Sequence, residues 1–162
     1  MDMVDVTIIC VGRNKEKYYQ EAAAEYIRRL SSACRVNVLE LPEARISSDP
    51  SDKEIEAALA DEAERILKNI KKEQYVISLC VEGRRLTSAA FAEELVRVFV
   101  SGRSRLVFII GGSFGLAENV KKASDLRLSM SDMTFPHHLA RVILLEQIYR
   151  AFTIMDGSKY NK

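Results

Sequence analysis

Hydrophobic and polar positions alternate along this chain in blocks whose period changes. VDVTIICV, residues 4–11, is short, β-branched and nearly continuously apolar up to Gly12, which predicts a buried strand. From residue 15 to 30 the period becomes helical, with Tyr19, Ala22, Ala23, Tyr26, Ile27 and Leu30 on one stripe. VNVLELP is a second strand stopped at Pro42, and residues 43–51 read as a polar loop. Ser51 opens the next helix through a capping box with Glu54, and Ile55, Leu59, Ile66 and Ile70 carry its apolar face. QYVISLCVEG is a third strand ending at Gly83. A helix over residues 88–100 follows, with Gly102 just beyond its end. RLVFIIGG is the fourth strand, and GSFGLAENVKKA a glycine turn into a short helix. LRLSMS is a fifth strand, with Leu126, Leu128 and Met130 opposed to Arg127 and Ser129. Pro136 then precedes a long apolar helix from His137 to Met155 and a polar tail, DGSKYNK.

Apolar strands separated by helices predict an α/β fold: a mostly parallel sheet flanked by helices on both sides, because only such strands are buried on both faces. The chain's 162 residues fit one domain, taken as residues 1–162, with no internal repeat or linker. Cys10, Cys34 and Cys80 are odd in number and lack CxxC spacing, so they read as reduced thiols. No apolar stretch approaches the roughly 20 residues of a membrane span, and MDMVDVTIICVG lacks the basic start of a leader, so the expected location is cytoplasmic. With 24 basic and 23 acidic residues, charge alone does not announce a nucleic-acid binder.

In open α/β sheets ligands bind beyond the carboxyl ends of strands, which leaves three places to weigh. Gly111-Gly112-Ser113-Phe114-Gly115 has GGxxG spacing, neither a dinucleotide fingerprint nor a P-loop, and is either a tight turn or a ligand-contacting loop. Leu79 to Gly83 alone is a strand running into a turn. Met130 to His137 is a loop of small polar and apolar residues stiffened by Pro136, either a plain connection or a wrap around an adenine. His137 and His138 are adjacent at a helix start, so their side chains diverge by about 100° and do not readily share a metal. No HExxH, paired CxxC or GxSxG is present, and no metal is expected. Arg28-Arg29, Arg84-Arg85 and Lys121-Lys122 are solvated faces or phosphate contacts. On the last helix Val142, Leu145, Ile148, Tyr149 and Phe152 form a stripe that is either core or a dimer seam.

GGSFGL after an apolar strand, with LSMSDMTFPHHLARVILLEQIYRAFTIMDGSKYNK to the end, resembles the RlmH family, the bacterial 23S rRNA (pseudouridine-N(3))-methyltransferases of the SPOUT superfamily. IICVGRNKEKYYQEAAAEYIRRL and SDKEIE…ERIL extend the resemblance over essentially the whole chain. The resemblance implies a SPOUT fold whose C-terminal part threads a trefoil knot, an exception to the rule that chains do not knot. It further implies a homodimer with the cofactor S-adenosylmethionine in the knot, and rRNA methyltransferase activity on the assembled ribosome. Leu79, Gly111 and Met130, Ser131, Asp132, Met133, Thr134 and Phe135 correspond to the cofactor loops, and Gly112 and Gly115 join them as turn formers.

The imide N–H of pseudouridine is a poor nucleophile until its proton leaves, so a base or a nearby cation is required. His137, Arg141 and Tyr160 are the catalytic candidates, and Arg150 and Lys162 the substrate contacts. Where the family's tail carries histidine, this chain has Asn161, which hydrogen-bonds but accepts no proton near neutrality. That departure keeps a second function open, a non-catalytic ribosome-associated binding protein on the same fold. A dinucleotide oxidoreductase is disfavoured, because the first strand–helix turn, Val11 to Lys15, holds a single glycine. Near-neutral charge favours reading the shape of a ribosomal site, with Arg13, Lys15, Lys17 or the tail lysines on phosphates.

Overall fold

A computed structural model of the chain describes residues 3–158. The elements run in the expected order: β1 (Val4–Val11), α1 (Lys17–Leu30), β2 (Cys34–Leu41), α2 (Asp52–Lys68), β3 (Tyr75–Arg85), α3 (Ser88–Val100), β4 (Arg105–Ile110), α4 (Glu118–Lys122), β5 (Leu126–Ser129) and α5 (His137–Met155). The sheet has the order β2-β1-β4-β3-β5, and every neighbouring pair is parallel. The steps from β1 to β2 and from β3 to β4 move one way along the sheet. Those from β2 to β3 and from β4 to β5 move the other way. With one crossover hand, opposite directions place the connecting helices on opposite faces.

The packing agrees. Ala23 and Leu30 of α1, with Phe91, Leu95 and Val98 of α3, share a core with Val6, Ile8, Phe108 and Ile110. Ala63 and Ile66 of α2 and Val120 of α4 cover the opposite face, against Ile9, Val11, Val107 and Ile109. Alternate residues of β1 and β4 therefore enter different cores, which is why both strands read as continuous apolar runs.

Helix α5 lies against α1 and α3. Leu145 and Ile148 are wholly enclosed, and Val142, Tyr149 and Phe152 pack half-buried on the same cluster. Phe152 stacks on Phe99 with centroids 6.2 Å apart. Leu145 and Ile148 of the stripe are thus core of the chain itself, and Val142, Tyr149 and Phe152 lie at its margin.

Some boundaries and contacts differ from the expectation, each for a local reason. The Ser51 Oγ accepts from the Glu54 N–H at 3.2 Å, and the Glu54 carboxylate, besides its contact with the Ser51 backbone N–H, also accepts from Ser47 Oγ at 2.7 Å. Strand β3 continues past Gly83 to Arg85 because its pairing with β5 resumes after a bulge. Ser129, expected on the open face of β5, is buried, its hydroxyl donating to the Ser131 carbonyl at 3.1 Å. Cys10 and Cys34 are buried and free, and burial raises their thiols to about 11 and about 12. Such thiols are inert at neutral pH.

Leu145→Ala removes a fully enclosed side chain and is expected to lower unfolding free energy by roughly 2–5 kcal/mol. Urea unfolding at two protein concentrations checks this: the loss should be the same at both, whereas a loss that depends on concentration places Leu145 in a subunit seam.

Candidate functional site

Because all five strands run the same way, their carboxyl ends open on one edge of the sheet, and a cleft lies there. It measures about 640 Å³ and is bordered by the ends of β3, β4 and β5. The β3 wall depends on the bulge. Leu79 pairs with Leu128, and pairing resumes with Arg84 against the same Leu128, so the residues between them leave the ladder. Cys80, Val81 and Glu82 are thereby turned into the cleft. Gly83 passes so close to β5 that a Cβ there would sit 2.8 Å from backbone atoms of Arg127 and Leu128, which no side chain permits.

The loop after β4 is equally tight. A Cβ on Gly111 would lie 2.4 Å from the Gly115 carbonyl oxygen, and the Gly115 N–H donates to the Gly112 carbonyl at 3.1 Å. Glu43, from the loop after β2, braces this turn by accepting the Ser113 N–H at 2.9 Å. Burial pushes the Glu43 carboxyl up, but the Ser113 hydrogen bonds and the nearby His137 and His138 outweigh it and hold it below the ordinary range. The third loop is shaped by the Met133 N–H donating to Ser131 Oγ at 2.9 Å and by the Arg85–Asp132 ion pair at 2.5 Å.

Of the residues expected to hold a cofactor, Leu79, Gly111, Gly112, Gly115, Met130, Ser131, Met133, Thr134 and Phe135 all line this cleft. Asp132 does not; it faces outward in its pair with Arg85. His137 closes the cleft at the start of α5. Arg141, one turn further on, is 4% exposed and outside the lining. Arg150 is paired with Glu146 at 2.7 Å, about 20 Å along the helix axis from His137. Tyr160, Asn161 and Lys162 lie outside the described residues.

The family described as "Predicted SPOUT methyltransferase" matches residues 4–161. The chain belongs to this family. Two similar relatives carry the name "Putative ribosomal RNA large subunit methyltransferase H". One is from Methanococcus maripaludis, 46% identical, and the other from Methanococcus vannielii, 45% identical; each match spans 98% of this chain and 100% of the relative. These identities place the chain within the H group of the SPOUT methyltransferases. Among solved structures, a "probable methylase family protein" from Haemophilus influenzae superposes with a TM-score of 0.54 at 15% identity, over 97% of this chain and 70% of its own. A "putative methylase family protein" from Neisseria gonorrhoeae gives 0.51 at 14%, over 89% and 81%. At such identities these two show a shared fold.

In this SPOUT methyltransferase the start of α5 is held by a polar junction that sequence reasoning missed. Arg141 donates to Glu40 Oε2 at 2.8 Å and reaches the Gly12 carbonyl at 3.4 Å, and the same Glu40 oxygen accepts the Asn14 N–H at 2.7 Å. His138 packs beside it, 6.4 Å from the Tyr19 ring, with its titration lowered chiefly by burial and then by the charges of His137 and Arg141. The junction locks α5 to the ends of β1 and β2 and so fixes His137 at the cleft. Arg141 is thus placed to hold α5 rather than to line the cleft. Its only available signal was an arginine inside an apolar helix, and its partner stands 101 residues away. Among the described residues no group of three or more potential ligands is arranged for a metal, and no helix is long and apolar enough to cross a membrane.

Burial pushes the Glu40 carboxyl up, yet hydrogen bonds from Arg141 and Asn14 dominate and leave it below its ordinary value. A depressed carboxyl contributes stability above its unfolded value, and that stability is lost as pH falls through the folded one. Glu40→Gln strands a buried guanidinium; discounted for the 37% exposure of the Glu40 side chain, the expected loss at pH 7 is about 1–2 kcal/mol. Denaturant midpoints from pH 7 down to about 3 should show the gap to the parent protein closing below about pH 4. A gap that stays constant with pH contradicts the ion-pair account.

Proposed function

We propose that this protein transfers the methyl group of S-adenosylmethionine to N(3) of a pseudouridine in 23S rRNA of the assembled ribosome, acting as a cytoplasmic homodimer. The observation that carries this reading is the cleft itself: on a SPOUT methyltransferase chain, three strand-end loops enclose a space of nucleoside size lined by Leu79, Leu128, Met130 and Phe135. The apolar walls suit an adenine, and the tight glycine turn brings backbone groups within reach of a ribose. S-adenosylmethionine, when bound, supplies an electrophilic methyl on a sulfonium. The relatives' names give the RNA class, and the resemblance of the C-terminal half gives the pseudouridine, the knot around the cofactor loops and the dimer.

The chain's own work is then positioning and the removal of one proton. Gly111, Gly112 and Gly115, braced by Glu43, set one wall, and Met130 to Phe135, tethered through Asp132 to Arg85, set the other. His137 stands at the cleft, where its imidazole is the candidate acceptor of the imide proton. Arg141 holds the helix that carries it. Arg150, about 20 Å away along α5, serves substrate in a cleft shared with the second subunit, together with Lys162 of the tail, and Tyr160 takes part in the catalysis.

The test is transfer of tritium from methyl-labelled S-adenosylmethionine to ribosomes that lack the modification, with protein-free 23S transcript in parallel. Label confined to 23S rRNA, faster on ribosomes than on transcript, is the expected result, and Asn161→His should raise the rate. No label from a protein that still binds ribosomes favours the non-catalytic reading that Asn161 suggests. Equal rates on naked transcript contradict recognition of the assembled particle.

A further inference from the structure

The lining of the cleft is electrically quiet except at one point. Glycine, serine, threonine, cysteine and apolar residues make up nearly all of it, and besides the imidazole of His137 only two charged side chains among the described residues reach it, Glu82 and Lys121. They come from different walls: Glu82 from the bulge after Leu79, Lys121 from the short helix that follows the glycine turn, 39 residues apart. They pair with each other through a direct hydrogen bond from Nζ to the carboxylate. Lys121 lies between the buried Val120 and the exposed Lys122, and its side chain is only 16% exposed, because it folds inward over the cleft to reach Glu82. The pair is not required to close the fold, since the bulge is already fixed by Gly83 and the renewed β3–β5 ladder.

A surface ion pair is worth little by itself, with a median of about 0–1 kcal/mol, so stability alone does not account for two opposite charges aimed into an otherwise neutral ligand site. The cofactor of the reading above divides in the same way. Its nucleoside is neutral, and its amino-acid end carries one ammonium and one carboxylate. An ion pair that opens to accept such a zwitterion exchanges one matched contact for two, with no charge left unpaired.

We propose that Glu82 and Lys121 read the amino-acid end of the cofactor, Lys121 taking its carboxylate and Glu82 its ammonium. This rests on the assignment of the cleft to S-adenosylmethionine and adds the orientation of that molecule within it. The adenosine lies toward Leu79, Met130 and Phe135, and the polar end toward α4. Neither residue touches the reacting nitrogen, so both are specificity determinants.

The test compares two thioethers that share the nucleoside and differ in the amino-acid end, S-adenosylhomocysteine and 5′-methylthioadenosine, by calorimetric titration. The parent protein should bind S-adenosylhomocysteine the more tightly of the two. Lys121→Met and Glu82→Gln should each weaken S-adenosylhomocysteine roughly tenfold, as loss of a charge-assisted contact at a partly exposed site does, and leave 5′-methylthioadenosine within about twofold. Equal weakening of both ligands overturns the proposal, because the pair then only shapes the wall. No change with either ligand overturns it as well. A folded parent protein that binds neither thioether nor S-adenosylmethionine overturns the cofactor reading itself, a result distinct from the other two.

Discussion

Everything at the functional edge of this protein follows from one constraint, the common direction of all five strands. Parallel pairing sends each connection across a face of the sheet, and a single crossover hand then divides α1 and α3 from α2 and α4. The carboxyl ends of β1, β2, β3, β4 and β5 are left side by side. Five loops from distant parts of the chain meet there, and neither Glu43 nor Ser113 has a local reason to find the other. The apolar burial on the two faces holds this edge in place, and the chemistry is confined to what the loops present.

Two kinds of local device turn that edge into a cleft of definite shape. The first is backbone proximity that only glycine allows: Gly83 against β5 forces the bulge outward, and Gly111 against Gly115 keeps the next loop closed upon itself. The second is a carboxylate spanning two loops. Glu43 joins the loop after β2 to that after β4, and Glu40 joins the end of β2 to the turn after β1 and to Arg141 on α5. A guanidinium as enclosed as that of Arg141 is stable only while paired, so its geometry is specified more sharply than a surface contact would be. His137 inherits that definition from one turn away.

Most of the fold was legible in the chain, because it is encoded locally. Changes of hydrophobic period marked every strand and helix, and Ser51, Gly102 and Pro136 marked ends. The three loops of the cleft were also legible, as glycine or small-residue runs after apolar strands. What was not legible depends on pairing between distant residues. Cys80 to Glu82 reads as a continuing strand, and only the register with Leu128 shows that it leaves the sheet. Arg141 reads as a catalytic cation until Glu40 is found beside it. The apolar stripe of α5 left core and seam equally open, and packing against α1 and α3 places Leu145 and Ile148 in the core.

The proposed function requires that S-adenosylmethionine occupy the cleft between the ends of β3, β4 and β5. Amide hydrogen exchange of the protein with and without S-adenosylmethionine tests it most directly. Slowed exchange is expected in residues 79–83, 111–116 and 130–137, with the strands' amino ends and α2 unchanged. Protection centred on Pro42 to Ile46 and α2, or none at saturating S-adenosylmethionine, would contradict it.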